Sequence, residues 1–430
     1  LHIWEAAVAA ARPQDLLRAT LADPALRDAL RSARRILVVG GGKAGAAQSA
    51  AVETLLEDCL PRMEGIVNVP VEVARPLQRI RLHPARPAGT NHPTAEGVAG
   101  TRAMMQLIRS ATSDDIALCL LSGGGSALMP APVEGISLED KQALTLMLHA
   151  CGATIDEMNC VRKHLSDVKG GRLAEAFLGR ALFSLIISDV IGDPLDVIAS
   201  GPTAPDPTTF AEALAVLTKY RLVDTTPPSV LRRLERGAAG QIPETPKSLP
   251  GNIHNHIIGN NARSLMAAQR MAEELGYRVL NLGSFIAGEA QQAAMVLAGI
   301  VRSILADGQP MSPPVCVLSG GETTVTLSQD HGLGGRNQEF VLALTLALGE
   351  EGMRRVVVLS GGTDGEDGPT DAAGAVADEG TWLRARAAHV APKEYLSRHD
   401  AYHFFEATGD LRKTRLTQTN VMDVRVMLIP

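Results

Sequence analysis

Short runs of apolar residues recur along the chain at 35–39, 116–121, 182–187, 256–258, 315–318 and 356–359. Each ends at a turn carrying glycine and gives way to an amphipathic stretch of helix length. Unbroken apolar runs mark strands buried on both faces, and strands that alternate with helices build parallel sheets. The pattern therefore predicts an α/β fold with largely parallel sheets, whose ligands bind beyond the carboxyl ends of the strands, where these glycines fall. An alanine-rich opening between Glu5 and Arg12 predicts a helix over 4–21. Gly237, Gly240, Pro243, Pro246, Pro250 and Gly251 interrupt regular structure ahead of a strand beginning near Ile253. They place a domain boundary that divides the chain into 1–248 and 249–430, with a proline-rich stretch at 310–314 as a weaker candidate.

Length supports two domains. The chain has 430 residues, and single cores stop growing near about 250–300, so two α/β domains with a cleft are expected. Aromatics make up only 3% of the chain against 45% hydrophobic residues, which leaves the core to Ala, Val, Leu and Ile, as in covered parallel sheets. A formal net charge of −6 without a basic block argues against a nucleic-acid partner. No apolar run reaches the ~20 residues that span a bilayer, so no membrane partner is expected. Cys59, Cys119, Cys151, Cys160 and Cys316 form no CxxC pair and read as core thiols of a reducing compartment, hence a cytoplasmic location.

The chemistry gathers in the glycine turns. Glycine after a strand lets backbone N–H groups approach an oxyanion without interference from Cβ. Gly40, Gly41, Gly42, Lys43 and Gly45 form one such turn, and Ser122, Gly123, Gly124, Gly125 and Ser126 a second. Strands running into Ser-Gly-Gly recur at Ser319, Gly320, Gly321 and Glu322, and at Ser360 to Thr363 followed by Asp364. Four such turns point to a ligand with several anionic groups, such as a nucleotide polyphosphate with a carboxylate; tight turns alone are the plainer reading of any one of them. The first turn also satisfies GxGxxG, the dinucleotide fingerprint, but that site needs an acid at the end of the next strand, where Asn68 stands. A P-loop fails because Ala44 replaces the required Ser or Thr. Lys43 is then a cation placed to reach a transferring phosphoryl group, unless it merely snorkels from a helix start.

Asp189 and Asp193 follow the apolar run at 182–187, and a turn there could converge two carboxylates on Mg²⁺; as turn formers they need no metal. Arg336, behind Gly334 and Gly335, opens a helix running to about Leu348 and suits a phosphate or carboxylate, the alternative being an ion pair with Glu339. Lys163, His164 and Lys169 offer further donors, and His92 sits in a loop after Gly89, Thr90 and Asn91; neither group has metal-ligand spacing. No GxSxG or HExxH is present, which argues against serine hydrolases and zincins.

Taken in order, these segments, with Ile198 to Thr203, Gly368 to Gly374 and Thr419 to Asp423, resemble the glycerate 2-kinase family. The C-terminal part of that family is called the MOFRL domain, and its members often carry the label hydroxypyruvate reductase. The resemblance spans nearly the whole chain. It implies two Rossmann-like domains facing across a cleft, dependence on ATP and Mg²⁺, and conversion of D-glycerate to 2-phosphoglycerate. Lys43 and Arg336 match the motif cations regarded as catalytic. The expected site is then Lys43, Arg336 and Asp189 as catalytic residues. Gly41, Gly42, Ser122, Gly123, Gly124, Gly125, Ser126, Gly320, Glu322 and Asp364 line the nucleotide and substrate, and Asp189 and Asp193 hold the metal. Partners are D-glycerate, ATP and a second copy of the chain as a homodimer. The alternative is an NAD(P)H-dependent hydroxypyruvate reductase. Two segments depart from the family pattern: Thr94, Ala95 and Glu96 replace a Pro-Asp after His92 and Pro93, and 415–418 replaces a Gly-Pro-Thr.

Overall fold

The computed structural model describes residues 1–87 and 92–430. It divides into two compact units, residues 13–258 and residues 1–12 with 259–430. The first unit is built on β1 (Ile36–Gly41), β2 (Met63–Pro70), β3 (Ile80–Arg86), β4 (Ile116–Leu121), β5 (Ala181–Ile187) and β6 (Ile253–Gly259). Their order is β3-β2-β1-β4-β5-β6, and the pairings from β3 through β5 are parallel. Every residue of β1 and β4 is buried, as unbroken apolar runs covered by helices on both faces require. The chain leaves β1 outward through β2 and β3, then returns to β4 on the other side of β1. That reversal opens a crevice at the carboxyl ends of β1 and β4, the place where open α/β sheets bind ligands.

The second unit holds β7 (Arg278–Asn281), β8 (Ile286–Glu289), β9 (Val315–Thr324), β10 (Val357–Gly362), β11 (Gly374–Ala377), β12 (Leu411–Arg412) and β13 (Asp423–Ile429). The order is β12-β11-β10-β13-β9-β7, with β8 beside β9. Here the expectation of a largely parallel sheet is corrected. Parallel pairing is confined to β7 and β8 with β9, while β13 enters between β9 and β10 and pairs antiparallel with both, and the pairings of β10 with β11 and of β11 with β12 are antiparallel too. The link from β10 to β11 is too short for a crossover helix, so the chain folds straight back.

Two boundaries also differ from the sequence reading. The break expected at 248/249 is shifted because 253–259 forms β6, beside β5 in the first sheet. The proline-rich stretch before it is tied into the first unit: Thr245 donates to Asp206 at 2.9 Å and Glu244 accepts from the Phe210 N–H at 2.9 Å. The helix expected over 4–21 is two helices, His2–Ala10 and Pro13–Leu21, because Pro13 cannot continue the first and instead opens the second. The two belong to different units. All five cysteines are free thiols, four of them buried, and burial pushes Cys119 up to about 12. No helix among the described residues is long and apolar enough to cross a membrane.

Candidate functional site

At the β1/β4 crevice the two glycine turns are closed on each other. A Cβ on Gly42 would lie 2.1 Å from the Ser122 Oγ, and one on Gly40 2.0 Å from the Leu120 carbonyl oxygen; both glycines take positive φ, +154° and +142°. The Lys43 N–H donates to the Gly123 carbonyl at 2.8 Å, the Ala44 N–H to Ser122 Oγ at 3.1 Å, and the Gly42 N–H to the Asn68 carbonyl at 3.3 Å. These donors are spent inside the protein. Gly41 and Gly42 therefore serve close approach of two loops, and the expected backbone cradle for an anion at this turn gives way to side chains. Lys43 is half-buried with its stem against the second turn: its Cγ lies 3.6 Å, and an Arg86 nitrogen 3.1 Å, from where a Gly124 Cβ would be.

The loop after β5 lies beside the same turn, since β5 pairs with β4 in parallel. Asp189 and Asp193 are half-buried on it, Asp193 with φ +55°. Further along, Ala199, Ser200 and Gly201 all adopt left-handed backbone, which costs the two non-glycine residues about 1–3 kcal/mol each. The strain places Ala199 against Gly125, where an added Cβ would meet it at 2.9 Å, and brings Ser200 Oγ to 2.8 Å from Ser126 Oγ. Lys43, Ser122 to Ser126, Asp189 and Asp193 thus share one sheet edge. Lys163 is engaged elsewhere, in a buried ion triad with Asp196 at 3.0 Å and Asp206 at 3.3 Å. His164 is a satisfied core histidine between the Cys160 carbonyl and Glu244. His92 is exposed, and residues 89–91 of its motif lie outside the described residues. Thr94, one of the departures from the family pattern, caps the helix Ala95–Arg109 by accepting from the Gly97 N–H at 3.0 Å.

The second unit assembles its own edge. Gly320 and Gly321 lie inside β9 rather than in a turn after it; a Cβ on Gly320 would meet Asn261 Oδ1 at 1.8 Å. Arg336 starts the helix Arg336–Met353, whose regular course ends before Gly349 at φ +70°. It pairs with Asp423 through Nε at 2.8 Å and Nη2 at 3.0 Å, and with Glu322 through Nη1 at 2.8 Å. The expected partner Glu339 is taken by His399 and Gln291. Burial pulls the Arg336 guanidinium down, but the charges of Asp423 and Glu322 outweigh it and hold it above its ordinary value. Asp423 is fully buried, and Arg336 overcomes that burial to hold it below the usual carboxylate range. Asp367 accepts the Asn337 and Gln338 N–H groups at 3.0 and 2.9 Å, and so occupies the helix start that an anion would otherwise take. Burial, only partly offset by those bonds, pushes it up to about 6. Asp364 follows β10, its Oδ1 3.0 Å from where a Gly362 Cβ would be, with Asp423 Oδ1 at 3.7 Å. A cavity of about 370 Å³ opens beside Arg336 and Glu322, with Val325, Leu327 and Pro369 as apolar lining.

Asp423 and Asp367 carry this second edge, yet neither stands out by composition. Asp423 closes the segment Thr419 to Asp423, and Asp367 lies in an acidic glycine-rich loop. Those segments were the available signals.

Comparison with known proteins draws these features together. A family model described as a domain of unknown function, DUF4147, matches residues 1–235, and the MOFRL family model matches 315–423. The glycerate 2-kinase of Pyrococcus horikoshii is 38% identical over 395 residues, covering 92% of this chain and 87% of that protein. An Agrobacterium vitis protein with the provisional name hydroxypyruvate reductase is 40% identical over 433 residues, covering 100% and 93%. The solved structure of glycerate kinase from Thermotoga maritima superposes with a TM-score of 0.86 at 36% identity, covering 100% of this chain and 98% of that one. With both family segments present in order and the likeness running over nearly the whole of each chain, the protein belongs to the glycerate 2-kinase family.

Proposed function

We propose that the protein transfers the γ-phosphoryl group of ATP to the 2-hydroxyl of D-glycerate, giving 2-phosphoglycerate and ADP. The placement of Lys43 carries this reading: its backbone is bonded to Gly123 and its stem lies against Gly124, at the topological reversal of a parallel sheet. Phosphoryl transfer demands positioning and charge stabilisation rather than a covalent nucleophile. In this proposal Lys43 neutralises charge on the transferring group, and Asp189 orients the accepting hydroxyl and takes its proton. Arg336 is the second cation. Its bonds to Asp423 and Glu322 use three of the five guanidinium donors and fix its plane in advance.

Asp189 and Asp193 fit Mg²⁺ as hard oxygen donors, since this ion takes one or two carboxylates and completes its shell with water and phosphate oxygens. Among the described residues no group of three or more His, Cys, Asp or Glu side chains is gathered for a metal, so the nucleotide would supply most of the remaining ligands. Bound there, Mg²⁺ would neutralise phosphate charge. The reductase alternative needs an acid at the end of β2. Asn68 fills that position buried, donating to the Gly97 carbonyl at 3.0 Å, the Thr101 hydroxyl at 3.3 Å and the Leu128 carbonyl at 2.6 Å, as a core tie and not a ribose contact. The proposal carries with it a cytoplasmic location and a homodimer, the latter checked by sedimentation velocity.

The test is a parallel assay with D-glycerate plus Mg-ATP and with hydroxypyruvate plus NADH, following ADP and NADH separately and identifying the phosphoglycerate isomer. ADP with 2-phosphoglycerate and no NADH loss is expected. Lys43→Ala should lower kcat by a factor of about 10² or more while leaving the melting temperature unchanged. NADH oxidation without ADP, or turnover of Lys43→Ala within a few-fold of wild type, would sink the proposal.

A further inference from the structure

A cavity of about 230 Å³ lies wholly within the first unit, with Gly124 and Ser126 of the second glycine turn in its wall. Three cationic side chains line it: Lys141 and Lys169, 8% and 2% exposed, and the half-buried Arg162. Among the described residues no carboxylate lines it. Lys141 donates to the Leu165 carbonyl at 3.0 Å, and Lys169 to the Ser126 carbonyl at 2.8 Å and Ser200 Oγ at 3.4 Å. Each ammonium has three donors, so neutral oxygens answer only part of what is buried. Burial first, then the charges of Arg162 and of Lys141 itself, lowers Lys169 well below its ordinary value; burial and Arg162 lower Lys141 to about 7, with Asp167 opposing. Like charges desolvated together are costly unless an anion joins them.

We infer that this cavity binds the carboxylate of the hydroxy-acid acceptor through Lys141, Arg162 and Lys169, an inference that rests on the kinase reading for the identity of the acid. The shared chemistry is a compact oxyanion, which a carboxylate or a nucleotide phosphate could supply. The carboxylate is favoured because the cavity is small and because Gly124 and Ser126, in its wall, belong to the turn against which Lys43 packs. An acid anchored by its carboxylate there would present its hydroxyls to the turn against which the phosphoryl-binding lysine packs.

Arg162→Gln and Lys141→Met each remove one charge while keeping most of the side-chain volume. Each should raise KM for D-glycerate about tenfold or more, with KM for ATP within about twofold, since a charge-assisted hydrogen bond is lost on one substrate only. Thermal melting of the full chain supplies a readout independent of turnover. D-glycerate should raise the melting temperature of wild type and lose that effect in both variants, while the ligand-free variants melt no lower than wild type because buried repulsion is relieved. If Lys141→Met does not fold, Arg162→Gln decides. Wild-type KM for D-glycerate in the variants, or an equal melting shift, would overturn the inference; a raised KM for ATP alone would assign the cavity to a nucleotide phosphate. D-glycerate binding without turnover in wild type would instead refute the kinase reading and leave the anion pocket standing.

Discussion

Lys141 carries its charge at a cost, and the sign of that cost makes it measurable. Its folded value of about 7 lies below the ordinary lysine range, chiefly through burial and then through Arg162 and Arg233, with Asp167 pulling the other way and Lys169 and His149 on the same cavity wall. Between about pH 7 and the unfolded lysine value near 10.4, the unfolded chain binds a proton that the folded one has released, so stability rises with pH across that window. Lys169, lowered in the same direction, adds to the slope. D-glycerate recognition runs oppositely, because the carboxylate needs the ammonium charged. Ligand-free protein should therefore gain resistance to urea from pH 7 to pH 10 while its affinity for D-glycerate falls, and Lys141→Met should flatten part of both trends. Affinity that stays constant over this range would show that Lys141 does not meet the acid.

At the scale of elements, legibility followed burial. The runs that became β1, β4, β5, β9 and β10 are continuous and apolar because helices cover both sides of the strands, and they declare themselves without reference to a partner. β7 and β8 are short, half-exposed edge segments with mixed polarity, and β11 and β12 exist only through pairings with distant strands, so no local pattern announces them. β13 escaped for a different reason: its charged Asp423 and Arg425 are fully buried, which reads locally as surface. The same division holds for the candidate site. Lys43 and Arg336 stand out because glycines surround them, whereas Asp423 becomes meaningful only when β13 lies between β9 and β10 and brings it to the start of the helix Arg336–Met353. Lys141 and Arg162 sit on two different helices with no glycine turn to mark them, and only packing brings them to one cavity. Asp423→Asn tests the element-level role. Removing one charge from a buried pair costs about 3–5 kcal/mol, and the Arg336 plane loses its bidentate anchor. Both tryptophans, Trp4 and Trp382, lie in the second unit, so their fluorescence in urea reports that unit alone and should show an earlier transition, together with a reduced kcat. An unchanged transition would mean that Asp423 is not what holds this edge.

The molecule as a whole is asymmetric in how its units are encoded. Residues 13–258 form one continuous segment with its own sheet and core, and should fold when expressed alone. The second unit borrows from the opposite end of the chain. The helix His2–Ala10 buries Ile3, Trp4, Ala7 and Val8 against Leu265, Ala268, Leu318, Leu359 and Val424. Trp4 Nε1 donates to the Gly361 carbonyl at 3.1 Å, Arg412 pairs with Glu5 at 2.7 Å, and Thr419 donates to the Ala11 carbonyl at 2.7 Å. Burial of large apolar side chains contributes about 1.5–3 kcal/mol each, so losing this helix removes several kcal/mol from a unit whose whole stability is on the order of 5–15 kcal/mol. A fragment of residues 259–430 should therefore be unfolded or aggregated by circular dichroism and sedimentation, and adding residues 1–12 through a flexible linker should restore a cooperative melt. Because the segment is joined to the first unit immediately before Pro13, which ends one helix and opens the next, the chain passes between units within two residues. A stable, cooperatively melting 259–430 fragment would show that the terminal helix decorates the second unit and does not complete its core.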